Sequence, residues 1–494
     1  MLKSDFIRNA QLLLQDEYEA FETALNTDPV VSLRINPTKS GSHHLRNAAG
    51  SKKIPWCETG YYLSQRPLFI SDPLFHAGTY YVQEAASMFL EQAIKTILLD
   101  DPEISKKGMT TLDLCAAPGG KSTHLLDLIP ENSLLVCNEI IRNRCAILEE
   151  NMAKWGRVNT IITQSDPQQF GRMPHFFDVI VADLPCSGEG MFRKDHAARK
   201  EWSMDHVHFC ASRQRRIIRD VWNALKPGGY LIYSTCTFNT EENEDNITML
   251  ADELDAEIIP VTIKREWNIS CGWVHHDNAG KLTEKPEETR GGELPVYRFF
   301  PHRTRSEGFF LALMRKTGAN QHESKILTTS KTNSRKNKHT QTVPSHIKDM
   351  LLNPEKYAFR FLNTSSNAGK RILKDTSHIY AIPLQHENAL STLAEGIHII
   401  SAGLPLGELN NNDLSPSASL ALSTALNIHT WPTVDLSCEQ AISYLKKETI
   451  PLPANTPKRR ILVTFRNIPL GFVKNIGARV NNLYPCNWRI RQVR

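Results

Sequence analysis

Between residues 110 and 316, short apolar runs alternate with stretches whose apolar residues recur every three to four positions. The runs are typical of buried strands and the stretches of amphipathic helices. Strand patterns occur in TLDLCAA, SLLVCNEI, NTIITQSD, FFDVIVADLPCSG, YLIYSTCTF and EGFFLALMRK, and helix patterns in KSTHLLDLI, IRNRCAILEENMAKWG, HVHFCASRQRRIIRDVWNALKPGG and EENEDNITMLADEL. Strands that alternate with helices predict an α/β fold with a parallel sheet covered on both faces.

The flanking segments carry mixed patterns. The first 21 residues predict an amphipathic helix and not a signal peptide, because the segment soon turns acidic and has no small-residue cleavage site. VSLRINPTK predicts a strand with basic ends, and YYVQEAASMFLEQAIKTILL, residues 80–99, has helical spacing throughout. Beyond residue 343, strand patterns (HIYAIP, GIHIISAGLPLGEL, RRILVTFRNIPLGFVKNI) surround one helix pattern, CEQAISYLKK.

Composition marks one clear boundary. Residues 317–343 are rich in Ser, Thr, Asn and Lys, with five Lys/Arg and one Glu, and predict a flexible basic linker. We therefore divide the chain into an N-terminal α+β extension, a larger α/β domain, the linker, a small α+β domain and a C-terminal domain. The predicted bounds are 1–75, 76–316, 317–343, 344–420 and 421–494.

Overall composition excludes several classes. No apolar stretch reaches 18 residues, so we predict no membrane span. None of the ten cysteines forms a CxxC pair, and we predict no metal site. Cysteines scattered through a long chain without a secretion signal indicate a cytoplasmic protein. Nothing in the sequence suggests a dimer seam, so we predict a monomer.

The net charge of +5 hides an uneven distribution. The last 40 residues carry nine Lys/Arg and no Asp or Glu, so the remaining 454 sum to −4. Aromatic residues are interleaved with the basic ones: Phe465, Phe472, Tyr484 and Trp488. Basic side chains neutralise phosphates and planar side chains stack on bases, so this end predicts RNA binding. The alternative is a basic β domain that docks on the rest of the chain.

The first strand–helix turn reads Asp113-Leu-Cys-Ala-Ala-Pro-Gly-Gly-Lys-Ser. Its end imitates a phosphate-binding P-loop, but such a loop requires glycine where Cys115 stands, which excludes a P-loop NTPase. What remains is a tight turn that lets a ligand approach the N–H groups at a helix N-terminus. The alternative is that Gly-Gly only makes the turn.

Acidic residues end the next three strands: Glu139, Asp166 and Asp183. Glu139 follows the glycines by about 20 residues, the place of a carboxylate that binds ribose hydroxyls, and ligands of open α/β sheets bind at the carboxyl ends of strands. A nucleoside site without a phosphate clamp indicates S-adenosylmethionine. The LKPGG turn supports this interpretation because it recurs in methyltransferase sheets.

Two cysteines follow strands of the predicted sheet, Cys186 in DLPCSG and Cys236 in STCT. A lone cysteine is usually a small buried residue, but two at the cofactor edge indicate chemistry. Carbon 5 of a pyrimidine is too poor a nucleophile to accept a methyl group until a thiolate adds to carbon 6. Such a reaction needs a reactive cysteine, a donor at ring N3 and a base for the carbon 5 proton.

CAAPGGK, DLPCSGEGMFRKD, LKPGG and YSTCTFNTEENE together resemble the RNA cytosine-5 methyltransferases of the NOL1/NOP2/Sun type. The resemblance spans about residues 1–316 and includes GTYYVQEAASM and RFFPHRTRSEGFFLALMRK. It implies a class I, Rossmann-like methyltransferase domain that uses S-adenosylmethionine, preceded by an RNA-binding extension. PLGFVKNIGARVNNLYPCNWRIR resembles the PUA-like RNA-binding domain of a bacterial group within the family that methylates 16S rRNA in the small ribosomal subunit.

The resemblance also assigns residues. It implies that Cys236 is the nucleophile, that Cys186 helps release product and that Asp183 engages N3 or the exocyclic amine of cytosine. Lys194 either orients the target base or phosphate or is a surface lysine. The implied cofactor contacts are Cys115, Ala116, Ala117, Pro118, Gly119, Gly120, Lys121, Glu139, Asp166 and Asp183. Around Asp166 the family's His-Phe-Asp-Gly is replaced by QSDP, which alters the turn.

Arg34 and Asn36 match a short motif of the family near the RNA channel, or else form a basic strand edge. Four arginines crowd one predicted helix and indicate a solvated face more than a phosphate site: Arg213, Arg215, Arg216 and Arg219. We expect a methyltransferase that acts on a 16S rRNA cytosine. The alternatives are a tRNA or large-subunit rRNA substrate, or a non-catalytic RNA-binding ribosome-assembly factor.

Overall fold

The structure is a computed structural model that describes residues 2–39, 51–272, 294–318, 345–362, 377–410 and 413–491. Its strands are β1 Ser32–Ile35, β2 Lys52–Lys53, β3 Gly60–Tyr62, β4 Tyr80–Val82, β5 Thr110–Asp113, β6 Leu134–Asn138, β7 Thr160–Thr163, β8 Phe177–Asp183, β9 Leu225–Thr235, β10 Ala256–Ile259, β11 Ser270–Gly272, β12 Leu294–Phe299, β13 Phe309–Lys316, β14 Tyr357–Leu362, β15 Ser377–Pro383, β16 Ile399–Ala402, β17 Leu404–Asn410, β18 Asp413–Pro416, β19 Thr433–Asp435, β20 Arg460–Phe465, β21 Ile468–Asn475 and β22 Val480–Asn482. Its α-helices are α1 Ser4–Leu14, α2 Tyr18–Leu25, α3 Pro73–His76, α4 Leu90–Asp100, α5 Pro102–Lys107, α6 Gly120–Leu128, α7 Arg142–Trp155, α8 Pro167–Gly171, α9 His196–Glu201, α10 Met204–Trp222, α11 Glu244–Leu254, α12 Ser345–Lys348, α13 Glu387–Ala394, α14 Ala418–Leu422 and α15 Cys438–Leu445.

The central sheet confirms the predicted α/β fold. Its order is β11-β12-β13-β9-β8-β5-β6-β7-β16, with β10 also paired to β13. Strands β7, β6, β5, β8 and β9 are parallel, and β13 returns antiparallel to β9. Every residue of β6 and β7 is buried, as expected for strands covered on both faces. The carboxyl ends of β5, β8 and β9 therefore lie side by side at one edge of the sheet.

The N-terminal region forms a separate four-stranded sheet of order β2-β3-β1-β4. The prediction of helix throughout residues 80–99 is wrong at its start, because Tyr80–Val82 pairs with β1 and the α-helix begins only at Leu90. Tertiary pairing has overridden the helical spacing, since Tyr, Tyr and Val favour strands. The segment is helical as predicted only from Ala86, first as a 3₁₀ turn and then as α4.

Arg34 and Asn36 do not face RNA, because both side chains are fully buried. Arg34 donates to Asp127 on α6 at 2.6 Å and to Thr123 at 2.6 Å. Its guanidinium also stacks 4.4 Å from the centre of the Trp155 ring. Asn36 donates to the carbonyls of Gly78 and Trp155. These two polar residues fix the N-terminal sheet to the helices behind the glycine turn.

The region after residue 344 pairs with and packs against the N-terminal part of the protein. It contains two four-stranded sheets, of orders β14-β15-β17-β18 and β19-β20-β21-β22. Strand β16 lies outside both and extends the central sheet beside β7. Leu33 and Ile35 of β1 share one hydrophobic core with Tyr444 and Val463. The residues predicted as linker fall almost wholly outside the described ranges.

The aromatic residues near the C-terminus pack into the protein. Phe465, Phe472 and Tyr484 are buried, so the prediction that they stack on RNA bases is wrong. Trp488 is half-buried and packs edge-on against Tyr484. Strands β20 and β21 are buried along most of their length, and the basic residues of this segment lie mainly at strand ends and outside the strands. Across the described ranges, no helix is both long and apolar enough to cross a membrane.

Candidate active site

A cavity of about 480 Å³ opens at the carboxyl ends of β5, β8 and β9. This volume is in the range of small-molecule sites, roughly 300–1,000 Å³. Among the residues assigned from the sequence, its wall contains Cys115, Ala116, Ala117, Pro118, Gly120, Lys121, Asp183, Lys194 and Cys236. The cavity therefore collects residues that are more than 100 positions apart in the chain, in the place where open α/β sheets bind ligands.

The glycine turn forms one wall. Gly119 has φ +108°, a left-handed conformation that glycine adopts without strain, and it caps the N-terminus of α6. A Cβ on Gly120 would lie 3.3 Å from a ring carbon of Tyr81, which also lines the cavity. Gly119 therefore permits the turn, and Gly120 keeps the start of α6 open to a ligand at its N–H groups.

Lys121 and Asp183 form an ion pair across the cavity, with 2.9 Å between Nζ and Oδ2. The hydroxyl of Ser234 on β9 donates to the other oxygen of Asp183 at 2.8 Å. Burial disfavours the charge on Lys121, but the neighbouring carboxylates, Asp183 first among them, raise its pKa above its ordinary value. Lys121 is therefore a fixed cation beside an oriented carboxylate.

The two cysteines predicted from the sequence meet at the cavity. Their sulfur atoms are 3.2 Å apart, and the backbone N–H of Cys236 points at the Cys186 sulfur from 3.4 Å. Cys236 lies in the cavity wall. The hydrogen bond with Cys236, together with burial, raises the pKa of the Cys186 thiol well above its ordinary value. Cys186 therefore keeps its proton and can donate it toward the Cys236 sulfur.

Neither of the acidic residues after β6 and β7 lines the cavity. Glu139 is buried, accepts the N–H of Ile141 at 2.9 Å and pairs with Arg144 at 3.0 Å. Arg144 also donates to the carbonyl of Ala117 in the glycine turn. Asp166 is exposed and caps α8, in a capping box with Gln169. Glu139 is thus tied to the glycine turn, whereas the Asp166 carboxylate is engaged in starting a helix.

Pro167 explains the departure from the family pattern at QSDP. It occupies the first turn of α8, where its missing N–H leaves no hydrogen bond unmade. The structure therefore accommodates the substitution without moving Asp166 from the end of β7.

The sequence did not single out several residues of the cavity wall. Gln83, Glu84 and Ser87 come from the segment after β4, and Glu307 and Phe309 from the start of β13. Glu307 pairs with Arg193 at 2.8 Å and lies 3.9 Å from Lys194 Nζ. Both segments belong to the stretches that resemble the family, but spacing alone could not show that distant strands place them opposite Cys236.

Glu242 joins the two loops that carry the cysteines. Its carboxylate accepts the backbone N–H of Ser187 at 3.0 Å and the amide of Gln214 at 2.9 Å. The hydroxyls of Ser187 and Thr237 are 2.9 Å apart. Each cysteine is thus next to a residue of this network, which keeps the two sulfur atoms in contact. Burial raises the pKa of Glu242 to about 7.

The raised pKa of Glu242 predicts a pH dependence of stability. The folded chain binds the proton more tightly than the unfolded one, so the free energy of unfolding falls as the pH rises from about 4.5 to about 7. Glu242→Gln is expected to remove this loss, worth up to about 3 kcal/mol. Urea unfolding of both proteins at pH 5 and pH 8 measures the change in the free energy of unfolding. An equal change in the two proteins would contradict the raised pKa of Glu242.

Comparison with known proteins agrees with this geometry. Residues 98–315 match the family described as 16S rRNA methyltransferase RsmB/F. Residues 2–85 match the N-terminal domain of 16S rRNA methyltransferase RsmF, and residues 432–490 match the methyltransferase RsmF PUA domain. A methyltransferase homolog protein from Pyrococcus horikoshii has a similar structure, with a TM-score of 0.51 and 28% identity over 64% of this chain and 95% of that one.

The fold and the cavity thus define a methyltransferase. Ribosomal RNA small subunit methyltransferase F of Escherichia coli strain E24377A is 30% identical over 87% of this chain and 83% of its own length. The protein of the same name from Aliivibrio fischeri strain MJ11 is 30% identical over 92% and 90%. The chain belongs to the ribosomal RNA small subunit methyltransferase F family.

Proposed function

We propose that the protein transfers a methyl group from S-adenosylmethionine to carbon 5 of a cytosine in 16S rRNA of the small ribosomal subunit. The observation that carries this proposal is the contact between the Cys186 and Cys236 sulfurs, 3.2 Å apart beside the Lys121–Asp183 pair. A second thiol at a nucleophilic cysteine suits a reaction that must both form and break a covalent bond to the base. The non-catalytic alternative has no use for this pair of cysteines.

The cavity fits the cofactor. The turn from Cys115 to Lys121 leaves backbone N–H groups open at the start of α6. Glu139, which is linked to this turn through Arg144, would hold the ribose hydroxyls. Asp113 behind the turn is buried, and its Oδ1 has no hydrogen-bond partner within the described ranges. When bound, S-adenosylmethionine supplies the electrophilic methyl group. We retain Asp166 as a further contact only at the outer edge of this site, because its carboxylate already caps α8.

The residues at the cavity have different roles in the proposed reaction. The Cys236 thiolate adds to carbon 6 of the cytosine. Asp183 acts at the N3 side of the ring through its ion pair with Lys121, whose ammonium donates to N3 and stabilises the electron-rich adduct. Once carbon 5 carries the methyl group, its proton passes to a water molecule, the double bond between carbons 5 and 6 re-forms, and the bond between carbon 6 and the Cys236 sulfur breaks to release the thiolate. Cys186, which keeps its proton, hydrogen-bonds to the departing Cys236 sulfur.

The substrate is assigned from the relatives. The family description and the curated relatives specify 16S or small-subunit rRNA, which favours 16S rRNA over tRNA and large-subunit rRNA. Bisulfite sequencing of total RNA from cells with and without the gene tests the assignment. We expect one 16S rRNA cytosine to lose its methylation in the deleted strain. Methylation lost only from tRNA or from large-subunit rRNA would refute it.

The C-terminal basic residues provide a prediction about RNA affinity. Lys474, Arg479 and Arg489 are exposed, and Arg479 and Arg489 make none of the described ion pairs. Removing one basic side chain from a phosphate makes the slope of log affinity against log salt less steep by about 1. Replacing all three with glutamine is therefore expected to weaken 16S rRNA binding at least about tenfold near physiological salt.

The measurement is a salt titration of RNA binding by the full chain. Truncation after residue 316 is unsuitable because β16 completes the central sheet and β20 shares a core with β1. The matched control replaces three exposed lysines of the N-terminal half with glutamine: Lys53, Lys106 and Lys107. If the slope of log affinity against log salt equalled that of the unchanged protein, the three basic residues would be solvated surface residues that do not contact phosphates.

A further inference from the structure

Glu307 is a carboxylate in the cavity wall that the mechanism above does not use. Its side chain is 4% exposed and its Oε2 accepts from Arg193 Nε at 2.8 Å. Its backbone N–H donates to Glu84 at 2.9 Å. Its Oε1 has no hydrogen-bond partner among the described residues, and Lys194 Nζ, at 3.9 Å, is beyond hydrogen-bond distance. Glu307 is thus held rigidly while one of its oxygens remains unused.

The other carboxylates of the cavity are already engaged on both oxygens. Asp183 accepts from Ser234 and Lys121, and Glu84 accepts the backbone N–H groups of Ser87 and Glu307. A buried acceptor without a donor is energetically unfavourable. A donor that arrives with the substrate would recover this energy, and Glu307 is the cavity carboxylate that has an acceptor to offer.

Glu307 is anchored close to the nucleophile. The N–H of Gly190 donates to the carbonyl of Cys236 at 2.8 Å. A Cβ on Gly190 would lie 2.8 Å from that same carbonyl and 2.5 Å from the carbonyl of Gly308, the neighbour of Glu307. Gly190 therefore lies between the backbone at Cys236 and the backbone next to Glu307. Both Cys236 and Glu307 line the same cavity.

Cytosine and uracil differ at carbon 4 and at N3. At carbon 4, cytosine carries an amine that donates hydrogen bonds, and uracil carries a carbonyl that only accepts them. A carboxylate matches the amine and repels the carbonyl, and Glu and Asp read cytosine through this amine in nucleic-acid complexes. We propose that Glu307 is a specificity-determining residue that accepts a hydrogen bond from the exocyclic amine of the target cytosine. The inference rests on the proposed function, because it explains which base that reaction accepts.

Glu307→Gln tests the proposal with little change of shape. The Nε–H of Arg193 holds the amide oxygen in the place of Oε2, so the amide NH₂ occupies the place of Oε1. A donor then stands where the amine of cytosine needs an acceptor, and it suits the carbonyl of uracil. We expect methylation of the cytosine target to fall about 10- to 100-fold. The ratio of uracil to cytosine methylation should rise at least about tenfold.

The assay uses the full chain, S-adenosylmethionine and 16S rRNA whose target has been mapped, with either cytosine or uracil at that position. Glu253→Gln is the control, since Glu253 is an exposed residue of α11 that pairs with Arg219 of α10. Wild-type protein that leaves every cytosine unmethylated would refute the proposed function. Active wild-type protein, with an unchanged base preference in Glu307→Gln, would overturn this inference alone.

A second measurement does not depend on how well the variant folds. RNA with pyrimidin-2-one at the target lacks the amine, and we expect wild-type protein to bind it at least about tenfold more weakly than the cytosine form. In Glu307→Gln this penalty should shrink. The variant has already lost the hydrogen bond between the Glu307 carboxylate and the cytosine amine, so removing the amine costs no further interaction. An equal penalty in both proteins would overturn the proposal. So would a covalent adduct that accumulates in Glu307→Gln, because it would make Glu307 the base for the carbon 5 proton.

Discussion

Cys236→Ala is expected to abolish methyl transfer and the covalent protein–RNA adduct together. The Cys236 sulfur lies in the cavity wall beside Lys121 and Asp183, and it is the thiol placed to reach a base held there. Without addition at carbon 6, carbon 5 stays unreactive toward the methyl donor, so we expect the rate to fall more than about 10³-fold. Transfer of labelled methyl groups to 16S rRNA measures the rate, and a denaturing gel of RNA containing 5-fluorocytidine shows the adduct.

The control for this variant is Cys145→Ala. Cys145 is a buried cysteine on α7, outside the cavity wall, and its loss should leave transfer and adduct unchanged. Cofactor binding by Cys236→Ala should also be unchanged, because the turn before α6 is not altered. An adduct that survives Cys236→Ala would refute the assignment of the nucleophile and would transfer that role to Cys186.

The sequence predicted the central sheet and its chemistry because both depend on local patterns. Residues 134–137 of β6 and 179–182 of β8 are apolar without alternation, and only strands covered on both faces need that pattern. The carboxyl ends of parallel strands share one edge, so Cys115, Asp183 and Cys236 could be placed together before their distances were known. The ion pair of Lys121 with Asp183 was not predicted from the sequence.

The errors concern residues whose environment is set by distant parts of the chain. In the sequence Arg34 resembles a basic residue that binds RNA. In the structure it contacts Asp127 and Trp155, which lie about 90 and 120 residues later in the chain. Phe472 looks like a stacking platform until its neighbours cover it. Side chains that are polar or aromatic are ambiguous in sequence, because burial with partners and exposure to RNA require the same residue types. Glu307 was missed for the same reason.

Cys186→Ala is expected to retain addition to the base but to lose product release. The Cys186 sulfur lies 3.2 Å from that of Cys236, and the Cys186 thiol keeps its proton because the contact with Cys236 and burial raise its pKa. That proton donates to the Cys236 sulfur as the bond to carbon 6 breaks. Without it the leaving thiolate is less stabilised, so the methylated base should remain attached to the protein.

A gel-stable adduct with ordinary 16S rRNA should therefore accumulate in Cys186→Ala, with turnover reduced at least about 10²-fold, while the first methyl transfer persists. Single-turnover and steady-state measurements on the same sample separate the two steps. Cys186→Ser places a weaker donor at the same position, so it should release product faster than the alanine variant. The double variant Cys186→Ala, Cys236→Ala should form no adduct. If Cys186→Ala turned over at the wild-type rate, the contact between the two sulfurs would be a packing contact and not a part of catalysis.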